Sequence, residues 1–489
     1  MKPSRLVAVL LFFAASFVFL YRLDYTSLQS FDEAWYAVIA REVSLKANIL
    51  ELHYNGVRFT DHPPLLFWIM SISQAVFSNY FSPEFAARFP SAVMGIATVL
   101  LVYKMGLQLS KKWWVGLVAS LFLLTSLWFL LRAKSGNLDV PVVFFMTLTM
   151  YFGQQIQILL QEKKQHLAVQ QLLPLTVSFS LLLISKAVVG LTLIPALIVV
   201  LFPLLSQLKN EKMRKAFLLS ALTMAVIVAP WYVYNAVLDS NFLYHHFVEI
   251  GLRGVAGSST QQFALWQNLL YLRSGIGVWY WPSVFGVIAS TFAICIVKEY
   301  RQKVLPLFLW FLIPALLLLL NAKTQIWHLL PLYVPLFLVT SFTLTEAIHL
   351  VASKLKLPKR FSILLQLLFT LCVLLLASNQ TRKSFSLFMP SVVSKQPEAV
   401  LGALAKDIPG ELYVLTGEGP SASFYAGRKV TPIGIRPNAY QEMVAIMSSD
   451  QTALFMVLGE HLNQFAVDGV AFETVHATPL LTLVRGVSP

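Results

Sequence analysis

The chain has 489 residues, of which 57% are hydrophobic and 12% charged, with a mean hydropathy of +0.69. Soluble domains run at roughly 45–50% apolar and about 25% charged, so this composition excludes a soluble globular enzyme, a disordered chain and a fibrous one. The net charge of +14 raises the question of a nucleic-acid partner, which the positions of the charges answer.

A membrane-crossing helix needs about 20 mostly apolar residues. The first run is 6–23, behind the basic start Met1-Lys2-Pro3-Ser4-Arg5. No small-x-small cleavage site lies near Asp24, so it reads as a retained helix and not a signal peptide. Further runs fall near 86–107, 113–131, 140–159, 170–185, 188–206, 216–234, 275–296, 304–320, 329–350 and 361–378. The expectation is an α-helical polytopic membrane protein with about eleven spans. Cys295 and Cys372 lie inside these runs, with neither metal-ligand spacing nor a disulfide framework.

With the start placed in the cytoplasm, the cytoplasmic segments hold seventeen basic residues against three acids, Glu162, Glu211 and Glu299, which is the whole surplus of fourteen. This is the positive-inside pattern, and it accounts for the charge without nucleic acid. The odd number of spans sets the C-terminus outside a plasma (inner) membrane. Three outer regions remain: 24–85, 235–274 and the tail from about 380. The tail mixes strand-like runs (411–415, 453–458, 480–484) with helical stretches near 397–406 and 438–448. The domain expectation is therefore a membrane domain over 1–379 and a small extracytoplasmic α/β domain over 380–489.

Charges within a bilayer are expensive and usually functional, and here the deep spans carry almost none. The polar groups gather on the outer face. Phe31 to Glu42 reads as a helix on the membrane surface with Asp32 at its N-cap, where backbone N–H groups keep a carboxylate ionised, and with Tyr36 on the same face. A capped anchor helix without chemistry would look the same. In Thr60-Asp61-His62-Pro63-Pro64 the two prolines force an extended turn ahead of a new apolar helix; a plain helix-start turn is the alternative. Arg132 to Asp139 is an outer loop with two bases and an acid, a pattern that ordinary solvation also fits. Lys186, Arg253, Arg273, Lys323 and His328 are further outer cations, each open to a headgroup contact. Together, cations could clamp an anionic lipid phosphate while a carboxylate takes a proton from a hydroxyl. No phosphate loop or dinucleotide fingerprint is present.

Asp32-Glu33-Ala34-x-Tyr36-Ala37, then Ala40-Arg41-Glu42, Asp61-His62-Pro63-Pro64-Leu65 and Arg88-Phe89-Pro90-Ser91 resemble the polytopic GT-C glycosyltransferases. The branches they resemble are the protein O-mannosyltransferases and the lipid A aminoarabinose transferases, in a prokaryotic-type form. Ala133 to Asp139, Ser185-Lys186 through Pro195, Pro230-Trp231-Tyr232 and Lys323 through Pro331 fit later landmarks, so the resemblance covers roughly 25–340. There are departures. His62 stands where the aminoarabinose branch usually has Lys. The stretch Glu249 to Arg253 lacks the family's His before Arg, with His245 and His246 out of register, so no metal site is carried over. The tail lacks the β-trefoil repeats of eukaryotic protein mannosyltransferases.

The resemblance implies an inverting transfer from a polyprenyl-phosphate sugar that enters from the membrane, to an acceptor on a lipid, surface glycan or protein. It implies Asp32 as general base, His62, Arg132, Lys186, Arg253 and Lys323 as donor-phosphate contacts, and Glu33, Tyr36, Asp61, Arg88 and Asp139 as orienting groups. No cofactor is expected to be required, although a divalent cation is compatible. The competing class is a transporter or flippase of lipid-linked sugars, which predicts ionisable groups at mid-membrane depth or paired broken helices.

Overall fold

The structure, a computed structural model, describes residues 3–45, 48–252, 264–356, 358–388, 395–434, 436 and 438–487; the expected phosphate contact Arg253 lies outside them. Among the described residues nine helices are long and apolar enough to cross a membrane: Pro3–Leu20, Pro83–Ser110, Asp139–Gln161, Gln165–Leu191, Glu211–Leu238, Ala264–Ile296, Lys298–Leu319, Ile326–Lys354 and Ile363–Phe385. The pair Trp113–Thr125 and Leu127–Ala133, bent by 70°, makes up to a tenth. The sequence expectation is eleven. The difference lies at the runs expected as spans 170–185 and 188–206, where the long helix Gln165–Leu191 is followed by the short apolar helix Ile194–Leu205, whose end returns to the start of the long one, with Gln165 bonded to Gln207. Twelve residues of helix rise about 18 Å, short of a hydrocarbon layer of roughly 30 Å. The turn at Thr192-Leu193 is itself apolar or neutral, so hydropathy alone runs straight through it.

Two breaks within the membrane helices shape the end at which Asp32 lies. At Ser126 the backbone is extended (φ −65°, ψ 128°), and the chain turns sharply into the Leu127–Ala133 helix. The Thr125 groups at this break are satisfied from other helices: Gln380 donates to the Thr125 carbonyl at 2.8 Å, and the Trp279 ring N–H donates to its hydroxyl at 2.9 Å. Such partners are what permits a broken helix at membrane depth. At Lys186 the helix Leu172–Leu191 is interrupted by one extended residue (φ −159°, ψ 89°). The first break redirects the short helix that carries Arg132, and the second falls on Lys186 itself.

The region 24–85 holds the helix Asp32–Leu45, a hairpin of Leu52–Tyr54 with Val57–Phe59, and the helix Leu65–Phe77. The hairpin turns on Asn55-Gly56, both at positive φ (51° and 77°), the pairing that a two-residue turn with right-handed strand twist requires.

This region is tied to the membrane helices by Glu33 and Arg88. Their side chains are only 3% and 5% exposed and meet through two contacts, Arg88 Nε to Glu33 Oε1 at 2.6 Å and Nη2 to Oε2 at 3.0 Å. Arg88 also donates to the carbonyls of Leu23, Thr26 and Ser27. Glu33 accepts from the backbone N–H groups of Gln29 and Gly136 at 2.9 and 2.8 Å. One fully bonded pair thus fastens the end of the first span, the Asp32 helix, the Pro83–Ser110 helix and the loop before Asp139. Neither side chain is left to orient a substrate, which corrects the role expected for both.

The tail forms a five-stranded sheet in the order Thr431–Pro432, Leu412–Val414, Leu454–Leu458, Leu481–Gly486, Phe472–Ala477. The first three strands are parallel and the last two pairings antiparallel. Alternate residues of the central strand serve two cores, as a strand's two-residue period dictates. Leu454 and Met456 pack toward the helices Pro397–Ala405 and Pro420–Ala426, while Phe455 and Val457 pack toward Ala439–Ser449 and Gly459–Asp468. The Pro420–Ala426 helix rests on the Asp32 helix: Arg41 donates to the carbonyls of Ser423 and Phe424 at 3.1 and 3.0 Å. Tyr425 accepts from the Leu28 N–H at 2.9 Å and donates to Glu84 at 2.7 Å.

Removing one partner of a buried, hydrogen-bonded ion pair strands the other charge, which costs about 3–5 kcal/mol. Arg88→Met is therefore expected to lower the thermal unfolding midpoint of the purified protein sharply. The double variant Arg88→Met with Glu33→Leu should recover part of the loss, measured by the same melt.

Candidate active site

Asp32 is the first residue of its helix, and its carboxylate faces Arg132. Arg132 Nη2 lies 3.2 Å from Asp32 Oδ2 and 2.6 Å from Asp139 Oδ2, with Nε of the same guanidinium 3.1 Å from that Asp139 oxygen. Lys186 Nζ approaches the other oxygen, Asp139 Oδ1, at 3.7 Å. Two acids and two cations thus form one chain, Asp32–Arg132–Asp139–Lys186, drawn from four separate segments. The two breaks described above are what permit it: the bend at Ser126 turns Arg132 toward Asp32, and the interruption at Lys186 turns its ammonium toward Asp139. Asn137 shapes the connecting loop, its Oδ1 accepting from the backbone N–H groups of Asp139 and Val140 at the helix start.

Burial and the neighbouring Asp139 carboxylate raise the pKa of Asp32 above the ordinary carboxylate value, against the opposing pull of Arg132 and Lys186. The sequence expectation of a low-titrating N-cap carboxylate is therefore corrected: the second acid and the enclosure outweigh the helix start. Burial alone would raise Glu33, but Arg88 beside it holds it below the usual range. Tyr36 meets the edges of His62 and Phe67, and burial together with the Asp32 charge keeps its phenol protonated.

His62 packs edge-on to Tyr36 and Phe59. Burial, then Lys186 and His246, depress its pKa to about 3, so its imidazole is neutral at physiological pH. His62 can take part in hydrogen bonding there but brings no positive charge, which corrects its expected role as a cationic clamp. Asp61, expected as an orienting group, is 3.0 Å from Nε2 of His245, whose Nδ1 lies 2.7 Å from Glu249. These two hydrogen bonds raise the His245 pKa. The ring stands between the two carboxylates, with each nitrogen facing a different one. Among the described residues no group of three or more His, Cys, Asp or Glu side chains is arranged to hold a metal ion. Lys323 is exposed on the turn ahead of Ile326, and among the described residues its side chain makes no hydrogen bond or ion pair with the acid–cation chain.

Three features were not assigned a role by the sequence. The Arg132 guanidinium lies 5.2 Å from the centre of the Trp327 ring, a cation–π contact. His245 and His246, out of the family's register, nonetheless meet Asp61 and the Thr60 carbonyl. The Asn55-Gly56 hairpin carried a readable turn signal, whereas the docking of Tyr425 onto Glu84 joins residues 341 apart and had none.

Residues 9–248 match the family described as dolichyl-phosphate-mannose-protein mannosyltransferase. An undecaprenyl phosphate-α-4-amino-4-deoxy-L-arabinose arabinosyl transferase of Proteus mirabilis is 24% identical over 337 residues, covering 68% of this chain and 59% of that one. An uncharacterised protein of Aquifex aeolicus is 24% identical over 295 residues, covering 60% and 55%. The chain thus spans a little over half the length of these curated relatives. In fold it is similar to ArnT from Cupriavidus metallidurans bound to undecaprenyl phosphate, with a TM-score of 0.72 at 16% identity over 98% of both chains. It is also similar to the Archaeoglobus fulgidus oligosaccharyltransferase, with a TM-score of 0.62 at 12% identity over 94% of this chain and 70% of the other.

Because Arg132 lowers the Asp32 pKa while burial and Asp139 raise it, Arg132→Gln should push the Asp32 titration further upward. The measurement is the protonated-carboxyl infrared band followed against pH, assigned by its absence in Asp32→Asn. In the wild type that band should vanish above the ordinary aspartate range of about 4, and later still in Arg132→Gln.

Proposed function

We propose that this chain, a polytopic GT-C protein of the type shared by aminoarabinose transferases and protein O-mannosyltransferases, moves a sugar from a polyprenyl-phosphate carrier to an acceptor hydroxyl or phosphate. The reaction is placed on the extracytoplasmic face of the plasma (inner) membrane. The observation that carries this reading is the chain Asp32–Arg132–Asp139–Lys186, which sets a proton acceptor with a raised pKa beside two cations at the outer ends of membrane helices. Neighbouring proteins lend support: one is bound to undecaprenyl phosphate, and an archaeal oligosaccharyltransferase of similar fold is in complex with a dolichol-phosphate.

The residues suggest a division of labour. The Asp32 carboxylate accepts the proton of the acceptor hydroxyl as its oxygen bonds to the anomeric carbon. The bond from that carbon to the phosphate oxygen breaks on the opposite face, giving inversion, and the polyprenyl phosphate departs with the electron pair. Lys186 touches Asp139 only at 3.7 Å, a Coulombic and not a hydrogen-bonding distance. Its ammonium donors are therefore available to the phosphate, where charge grows in the transition state. Asp139 holds both cations in place, and Trp327 covers the far side of Arg132. Tyr36, Asp61 and a neutral His62 line the sugar side. Arg253 and Lys323 remain proposed contacts for a donor that approaches from the loop side. The tail, 380–489, would roof the site through its contacts with the Asp32 helix, and no cofactor is proposed as a requirement.

Asp32→Asn should cut transfer by about 10²- to 10⁴-fold while a synthetic polyprenyl-phosphate sugar still binds. Wild-type activity should fall as pH drops through the raised Asp32 pKa, since only the ionised form accepts a proton. Lys186→Ala should weaken donor binding or slow transfer by about 1.5–3 kcal/mol. Steady-state rates and donor binding on purified protein separate these effects; an Asp32→Asn variant with full turnover would refute the assignment.

Sidedness is tested by labelling. In a background with Cys295 and Cys372 replaced, a cysteine at the exposed Ser449 should react with an impermeant maleimide on intact spheroplasts, whereas one at the exposed Ser206 should react only after lysis.

A further inference from the structure

The helices that begin at the candidate active site end around a cavity of about 300 Å³ at the opposite membrane face. The helix Pro83–Ser110, of 28 residues, carries the chain about 42 Å from the outer side to Gln108 and Lys111, and Asp139–Gln161 brings Gln154, Gln157 and Gln161. These three glutamines are spaced three and four apart, so they share one face of their helix, and all three line the cavity. The deepest, Gln154, is nine-tenths buried. Its Nε2 donates to the Met105 carbonyl at 3.1 Å, while its Oε1 has no hydrogen-bond partner among the described residues. A buried amide oxygen without a donor is unusual, because its desolvation goes uncompensated. Lys111 and Lys303 also line the cavity and are exposed. The acid lining it, Glu162, is paired with Lys164 at 2.8 Å, which leaves the two lysines in excess.

We propose that this cavity binds a hydroxyl-bearing phosphate of the glycerol-phosphate class, with one hydroxyl donating to Gln154 Oε1, a second bonded by the Gln157 amide, and the phosphate held by Lys111 and Lys303. The hydroxyl answers the one unfilled requirement deep in the cavity, and the anion answers the two cations. Such a group reaches a membrane protein either as the headgroup of phosphatidylglycerol or as a free glycerol phosphate. The site lies a membrane thickness from Asp32 and is independent of the transfer reaction proposed above.

The test uses the full-length protein in detergent, with retained lipid counted by native mass spectrometry in mixtures of phosphatidylglycerol and phosphatidylcholine. Preferential retention of phosphatidylglycerol is expected, reduced roughly fivefold in Gln154→Leu or Gln157→Leu, as for loss of one hydrogen bond. It should be reduced at least as much in Lys111→Ala with Lys303→Ala, and unchanged in Asp32→Asn. Gln157→Leu leaves the Met105 contact intact and keeps the test valid if Gln154→Leu does not fold. Displacement of the lipid by glycerol 3-phosphate, or saturable binding of glycerol 3-phosphate alone, would support the site with a soluble ligand. Equal retention of both lipids with no glycerol 3-phosphate binding would overturn the proposal. So would a loss confined to the lysine variant, since the basic rim alone would then account for the preference.

Discussion

The Glu33–Arg88 pair is the constraint on which the half of the molecule around Asp32 depends. An ion pair so deeply enclosed is tolerated because every oxygen of Glu33 has two donors and the Arg88 guanidinium reaches three backbone carbonyls in addition. Desolvation of the charges is thereby offset, which a bare pair in the same place would not achieve. The consequence is positional. Glu33 is adjacent to Asp32, and the Gly136 amide that Glu33 binds is three residues before Asp139. One buried contact therefore sets the spacing between the two acids that Arg132 bridges.

The site itself is close to charge balance before any ligand arrives, with two carboxylates facing a guanidinium and an ammonium. Balance of this kind keeps four ionisable groups stable at the edge of an apolar bundle, where an uncompensated charge is costly. It also divides their properties. Asp139 is held between both cations, whereas Asp32 meets Arg132 alone of the two, and burial, then the nearby Asp139 charge, raise its proton affinity. Adjacent acids pushed apart in this way are the usual arrangement for separating a proton acceptor from a purely electrostatic partner. His62, enclosed by aromatic edges and close to Lys186, is driven the other way and stays neutral.

The C-terminal sheet and its helices contribute by holding the Asp32 helix. Arg41 and Tyr425 bind across to Ser423, Phe424, Leu28 and Glu84, and Tyr54 binds the Glu418 carbonyl at 2.8 Å. The helix that carries the candidate base is thus clamped between a buried ion pair and the C-terminal sheet with its helices. A short helix lying on a membrane surface would otherwise be marginal.

The amino-acid sequence by itself determined the membrane class, because hydrophobic length and one-sided basic charge are local quantities that survive without tertiary information. It indicated a small sheet in the tail, where the strand runs at 453–458 and 480–484 fall on Leu454–Leu458 and Leu481–Gly486. It also brought Asp32, Arg132, Asp139 and Lys186 onto one short roster of outer polar residues. Tertiary structure alone decided which of these meet. The break at Ser126 lies inside an apolar run, 113–131, that reads as uninterrupted helix, and the gap between the runs 170–185 and 188–206 does not say where the Lys186 side chain goes, so the aim of neither Arg132 nor Lys186 could be seen in advance. Glu33 and Arg88, equally polar and equally placed in sequence, proved to be partners of each other because charge pairing depends on proximity across 55 residues. The proton affinities of Asp32 and His62 were likewise out of reach, since they follow from burial and from neighbours that only the folded chain assembles.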